Sequence, residues 1–254
     1  MQFRQRTPIW LWPHLLSLDA PIVALVWQDF VVRCYPSMLR PSGRWVLGLT
    51  VWAIYLGDRL LDVRSVDGTA NESPSHAFYR RNRKPLAMVL MAALSADIFV
   101  AIAWLRPAVR WNGLTLGAAV SAYLILFGYW RLGPMIWKRL VAASLFSAGV
   151  FLVALTQNPY WTALVCPFFG LSALCLGNLL VIVRLESNQR RSSSWLWIAA
   201  AMAVCLLPGN RSWNLALTTS IAGLVLIDLS GSVLSPRLGR VLVDVALLSP
   251  LLYR

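Results

Sequence analysis

The sequence predicts an all-α, polytopic membrane protein of about nine transmembrane helices forming one domain over residues 1–254. Three observations carry that prediction. Of the 254 residues, 58% are hydrophobic and 13% charged, whereas a soluble domain is about 45–50% apolar and about 25% charged. Mean hydropathy is +0.64, so too little charge is present to solvate a surface of this size. Apolar stretches also recur from residue 20 to the C-terminus, each near the roughly 20 residues a helix needs to cross a ~30 Å hydrocarbon core.

The stretches are 20–34, 45–63, 86–105, 113–130, 139–157, 161–185, 195–208, 213–232 and 239–252. Helix breakers separate them. Pro36 and Pro41 follow the first, Pro107 the third and Asn158-Pro159 the fifth; Pro208-Gly209-Asn210 follows the seventh and Ser235-Pro236 the eighth. Residues 1–13 hold Arg4 and Arg6 but no short apolar run with a small-residue cleavage site, so no removable signal peptide is expected.

The 23 Lys and Arg and the net charge of +13 raise the possibility of a nucleic-acid partner. Their placement argues against one. They lie mainly at the ends of apolar stretches, where cations snorkel to headgroups and set topology, and the 13 Trp suit membrane interfaces. With nine alternating spans, the N-terminus and the loops after even-numbered spans carry 16 of these cations and the other side carries 7. That places the N-terminus and the loops after the second, fourth, sixth and eighth spans in the cytoplasm. Cys34, Cys166, Cys175 and Cys205 form no CxxC pair and read as small apolar residues.

Ionisable groups inside a membrane are costly and mark function, so the ten acidic residues concentrate the search. Asp58 and Asp62, in Tyr55-Leu56-Gly57-Asp58-Arg59-Leu60-Leu61-Asp62, share one helix face about 5–6 Å apart at Cβ. Two carboxylates there suit Mg²⁺, which takes one or two carboxylates plus substrate phosphates; ion pairing with Arg59, Arg64 or a neighbouring helix is the structural alternative. The following loop, His76-Ala77-Phe78-Tyr79-Arg80-Arg81-Asn82-Arg83-Lys84-Pro85-Leu86, crowds His76, Arg80, Arg83 and Lys84 behind the acidic pair. Such cations can stabilise charge on a leaving diphosphate.

A second polar motif ends the sixth stretch. Asn178 and Glu186, eight residues apart in Asn178-Leu179-Leu180-Val181-Ile182-Val183-Arg184-Leu185-Glu186, share a face. Both are oxygen donors able to hold a second Mg²⁺, although buried Asn also serves as interhelical glue. Arg184 adds a cation, and Lys138-Arg139 opens the fifth stretch on the same side. Asp97 lies mid-span beside an undetermined helix neighbour. Asp29, Asp97, Asp228 and Asp244 receive no catalytic role.

This pattern resembles the UbiA superfamily of intramembrane prenyltransferases and related terpene cyclases. The resemblance covers residues 45–190: an acidic motif ending the second span, a long loop into Arg83-Lys84-Pro85-Leu86, Lys138-Arg139 opening the fifth span, and a polar motif ending the sixth. It implies a UbiA-like helical barrel in which Asp58, Asp62, Asn178 and Glu186 bind a prenyl diphosphate through Mg²⁺, with the isoprenoid tail in an apolar cavity. Two positions depart from the family: Ile54 stands where an Asn usually precedes the first Asp, and Asn178 with Glu186 replaces a DxxxD pair. The Asn–Glu spacing instead resembles the second metal motif of class I terpene synthases, with Ile182 where Ser or Thr usually stands.

The resemblance thus implies a Mg²⁺-dependent enzyme that ionises an allylic prenyl diphosphate. Arg83, Lys84, Lys138 and Arg184 would stabilise the pyrophosphate, with His76, Arg80 and Arg139 also in its binding region. Trp52, Tyr55, Tyr123 and Phe127 could shield a carbocation by cation–π attraction, or simply pack helices. Cyclisation to a terpene is the leading expectation, transfer of the prenyl group to an aromatic or lipid acceptor the alternative. A non-catalytic transporter or scaffold is the third reading.

Overall fold

The protein is described by a computed structural model, which places residues 16–63, 74–130, 133–187, 210–232 and 234–253; the side chains of residues 62, 74–77, 186, 187, 232, 236 and 237 are not described. Among the described residues every regular element is helical. Helix α1 spans Asp19–Cys34 and α2 spans Pro41–Asp62, with Pro41 in its first turn. Proline fits there because the first-turn N–H groups have no intrahelical partner. Helix α3, Pro74–Arg81, occupies the loop expected between the second and third stretches.

Five more helices follow: α4 (Arg83–Trp104), α5 (Pro107–Tyr123), α6 (Met135–Gln157), α7 (Thr162–Ser187) and α8 (Arg211–Leu229). A six-residue π turn, Leu124–Tyr129, prolongs α5. Asn210 caps α8 by accepting from the Ser212 N–H at 2.9 Å. Last come α9, Pro236–Ala246, and a 3₁₀ turn, Ser249–Tyr253.

Five of these helices have the length and composition to cross a membrane: α4, α5 with its π turn, α6, α7 and α8. The expected nine spans are refined accordingly. Helix α1 has 16 residues, about 24 Å at 1.5 Å per residue. Helix α2 has 22 residues but carries Arg44, Asp58, Arg59 and Asp62. The stretch 239–252 is broken after Ala246, and α9 at 11 residues reaches only about 17 Å, too short to span. The stretch 195–208 lies outside the described residues.

Cross-helix contacts fix the directions. Arg44 at the start of α2 pairs with Asp29 late in α1 at 2.9 Å. Ser42 near the start of α2 donates to the Trp104 carbonyl ending α4 at 3.2 Å. Asn112 early in α5 donates to Thr156 late in α6 at 3.0 Å, and Lys138 at the start of α6 pairs with Asp58 near the end of α2 at 3.2 Å. Phe151 of α6 meets Phe168 of α7 edge-on at 6.1 Å between centroids. These neighbours alternate, so α2 and α7 are parallel, and the Arg184–Asp228 ion pair joining the ends of α7 and α8 sets α8 parallel to α7. One end of the bundle therefore collects the start of α1, the ends of α2, α5, α7 and α8, and the starts of α4 and α6.

The core is built around α1, which packs on α2 and α6 along its length. Trp27 is fully buried and donates to the Leu247 carbonyl at 2.9 Å. Trp213 of α8 sits among Trp27, Phe30, Phe151 and Tyr35, with centroid separations of 5.3, 5.9, 5.5 and 6.0 Å, the range in which aromatic rings attract. By contrast α4 and α5 are largely exposed, with Met88, Met91, Phe99, Trp111 and Leu114 each more than half accessible. Exposed apolar faces of this extent mark a membrane or partner contact, and the length and composition of these helices suit a membrane.

Candidate functional site

The alternation of helices brings every described residue of the two sequence motifs to one end of the bundle. Tyr55 and Asp58 lie one turn apart near the end of α2, and Cys175 and Asn178 lie one turn apart in the parallel helix α7. Tyr55 is within electrostatic reach of Cys175. The two helices run the same way, so Asp58 and Asn178 both lie toward this end of the bundle, although α2 and α7 have few direct contacts.

Tyr55 lies within electrostatic reach of three carboxylates: Asp19 from the start of α1, Asp244 from α9, and Asp58. Asp244 is hydrogen-bonded to Asp19, with Arg240 and Arg59 near it. Two carboxyls bonded to one another must share a proton. Burial first, and then the Asp19 carboxyl, hold Asp244 well above the usual carboxylate range, while Arg240 and Arg59 oppose that shift. On α3, the Tyr79 hydroxyl lies 2.9 Å from the Ser17 hydroxyl, and Tyr79 is nearly fully buried. Burial raises its pKa, against the lowering effect of Ser17 and Arg59.

The individual site residues fare differently. Asp58 is ion-paired with Lys138, whose side chain is only 15% exposed. The Asn178 amide oxygen is buried and has no hydrogen-bond partner among the described residues, an expensive state for a polar atom. Arg184 donates to the Asp228 carbonyl at 2.8 Å and is ion-paired with the Asp228 carboxylate; Asp228 is 1% exposed. That pair joins the ends of α7 and α8. Arg83 and Lys84 are exposed at the start of α4, Arg80 is exposed at the end of α3, and Arg139 is half-buried beside Lys138. Asp62, His76 and Glu186 are helical, but their side chains lie outside the description.

Among the expected aromatics, Tyr123 and Phe127 pack with centroids 5.7 Å apart and ring planes tilted by 37° at the π turn. Trp52 donates its indole N–H to the Leu16 carbonyl at 2.8 Å, fastening the segment before α1. The mid-span Asp97 accepts from Thr50 of α2 at 2.6 Å. Among the described residues Cys34, Cys166 and Cys175 are free.

Asp19, Asp244 and Tyr79 join this end without having been selected from the sequence. The one local signal was Arg240 and Asp244 at i, i+4, a spacing that pairs charges on a helix; the approach of Asp19 to Asp244 across the whole chain left none.

The donor set fits Mg²⁺ in kind. Asp58 offers a hard carboxylate, and Asn178 offers a buried amide oxygen with no other described partner, both ligand types Mg²⁺ accepts. Among the described residues no group of three or more His, Cys, Asp or Glu converges on one point. Two surface grooves lie at the opposite end and touch none of these residues. The chain matches no protein-family model, and neither a curated protein nor a solved structure is detectably similar to it.

Proposed function

We propose that this integral membrane protein is a Mg²⁺-dependent enzyme that ionises an allylic prenyl diphosphate and cyclises the resulting cation to a terpene, as in UbiA-type terpene cyclases. The observation carrying this reading is that Asp58, paired with the cation Lys138, and Asn178, whose oxygen is buried without a described partner, lie toward the same end of parallel helices. Asp58 and Asn178, with Asp62 and Glu186 next to them in sequence, would hold the metal. Bound there, Mg²⁺ would supply Lewis-acid stabilisation of the leaving group.

The chain's own residues do the rest. Lys138, Arg83, Lys84 and Arg139, with Arg80 and His76 on α3, gather positive charge at the end where pyrophosphate departs. The allylic C–O bond breaks with its electron pair leaving on the pyrophosphate. A double bond of the same tail then attacks the cation to close a ring, and the departing pyrophosphate takes the proton lost as the final alkene forms. Tyr55, Tyr123 and Phe127 present π faces suited to a passing cation.

The test is incubation of the detergent-purified protein with C10, C15 and C20 prenyl diphosphates, with Mg²⁺ or EDTA. A cyclic hydrocarbon and pyrophosphate, both lost with EDTA and in Asp62→Ala and Glu186→Ala, is the expected result. Pyrophosphate released only when a lipid extract is added would make the protein a prenyltransferase. No release under any condition would leave the Asp58–Lys138 and Arg184–Asp228 pairs as helix glue in a transporter or scaffold.

A further inference from the structure

Helix α3 and the largely exposed helix α4 meet at a corner, Arg80-Arg81-Asn82-Arg83-Lys84, that puts four cations into five residues. The corner is fastened to the bundle. Tyr79 is 1% exposed, packs with Leu56, Leu60, Val63 and Leu86, and shares a hydrogen bond with Ser17. The Asn82 side chain donates back to the Phe78 carbonyl at 3.0 Å and makes no cap on α4. With Tyr79 turned inward, Arg80, Arg81, Arg83 and Lys84 are all exposed.

Helix stability does not call for this charge. Arg83 and Lys84 stand in the first turn of α4, where the helix dipole disfavours cations. Lys138 is paired with Asp58 and Arg184 with Asp228, whereas the side chains of Arg81, Arg83 and Lys84 have no ion pair or hydrogen bond among the described residues. Next to them α4 turns apolar. Lys84, Met88, Met91 and Ile98 fall at i, i+4, i+7 and i+14 and so share a face; Lys84 is exposed, and the three apolar side chains are each more than half accessible. Met88 lies about 6 Å and Met91 about 10 Å along the axis from Lys84. Cations anywhere in a loop can set the orientation of a span; a fastened cluster in line with an apolar stripe is a geometry that orientation does not need.

We infer that this corner binds an anionic phospholipid of the adjoining leaflet, with its phosphate head on Arg81, Arg83 and Lys84 and an acyl chain along Met88, Met91 and Ile98. Charge complementarity selects an anionic lipid over a zwitterionic one. The stripe selects a lipid over a free anion of the same phosphate chemistry. Arg81 has no part in the function proposed above, but Arg83 and Lys84 do, so the test reads binding and not turnover.

Native mass spectrometry of the detergent-purified full chain, titrated with phosphatidylglycerol or phosphatidylcholine of the same acyl chains, supplies that test. Each Lys or Arg near an anionic surface strengthens attraction about fivefold. Arg81→Gln should therefore weaken phosphatidylglycerol binding about fivefold, and the triple variant Arg81→Gln/Arg83→Gln/Lys84→Gln about 10²-fold, to the level of phosphatidylcholine. The control triple Arg33→Gln/Arg40→Gln/Arg211→Gln removes three exposed cations from the opposite end and should change binding less than about twofold, since that end lies beyond the screening length. Equal losses in the two triples would reduce the preference to net charge and overturn the site. Displacement of phosphatidylglycerol by excess inorganic pyrophosphate would overturn it too, in favour of a soluble anion. A second measurement follows the acyl chain: a fluorophore on Met88→Cys should be quenched more by chain-brominated phosphatidylglycerol than by chain-brominated phosphatidylcholine. One on Leu114→Cys of α5 should not distinguish the two lipids, with the signal from the four natural cysteines subtracted. Equal quenching by both lipids at residue 88 would refute the acyl track.

Discussion

Asp228→Ala is the sharpest test of how this bundle holds its polar end. Asp228 is 1% exposed and is ion-paired with Arg184, whose side chain is 18% exposed. Removing the carboxylate leaves the guanidinium with the residue-228 backbone carbonyl, now 2.8 Å away, as its remaining contact on α8. Breaking one side of a buried pair costs about 3–5 kcal/mol. Replacing both sides, as Arg184→Met with Asp228→Leu, removes the charges together and should cost under about 1.5 kcal/mol, since apolar substitutes of similar volume are often neutral. At about 2–4 °C per kcal/mol for a chain this long, the single variant should melt about 10 °C lower and the double variant within a few degrees of wild type. Thermal unfolding in detergent, followed by loss of the monodisperse chromatographic peak, reads both. A single variant as stable as the double one would show that the pair carries no buried-charge penalty and that the ends of α7 and α8 are held by packing alone.

Asp58→Asn should reduce Mg²⁺-dependent pyrophosphate release by about 10²-fold, the scale of losing one group that stabilises transition-state charge; unchanged release would remove Asp58 from the site. Asp244 binds its proton more tightly folded than unfolded, because burial and Asp19 favour the neutral form. Between the unfolded and the raised folded pKa the native state holds the extra proton, so stability falls as pH rises through that window. Asp244→Asn should flatten the melting temperature from pH 5 upward, and an unaltered slope would refute the assignment. An added Cβ at Gly223 would come within 3.0 Å of Ala246 Cβ, so Gly223→Val should force α8 and α9 apart and cost about 1–3 kcal/mol, seen in the same melting assay. Trp213→Ala empties the centre of the aromatic cluster and should cost about 3–5 kcal/mol; a shift under a third of that would mean the rings close over the gap.

Hydropathy and chain length made the helical bundle legible, because a membrane leaves the backbone few other ways to satisfy its hydrogen bonds. They did not distinguish a lipid-facing span from a core helix. Helix α1 reads as an ordinary apolar stretch, yet Ala24, Trp27 and Val31 are completely buried within the protein. Residues 239–252 read as a span because they are apolar on average, whereas in the structure Arg240 and Asp244 fall on one side of the short helix α9. In the site, Asp58 and Lys138 were each legible as charges in an apolar setting, but their pairing across 80 positions was not. Asp228 could be seen as an intramembrane acid, yet only the parallel course of α7 and α8 identifies Arg184 as its partner.

The π turn at Leu124–Tyr129 bears on how this chain can tolerate changes of length. Such a turn holds one residue more than the α-helical turn it replaces, so it stores a single-residue insertion within an otherwise regular rod. Deleting one residue there would restore regular winding and leave everything beyond it in nearly the same orientation. The same deletion earlier in α5, with the π turn intact, would instead misalign Asn112 from Thr156. Single-residue length variation among any descendants of this chain should therefore fall within those six residues rather than earlier in α5.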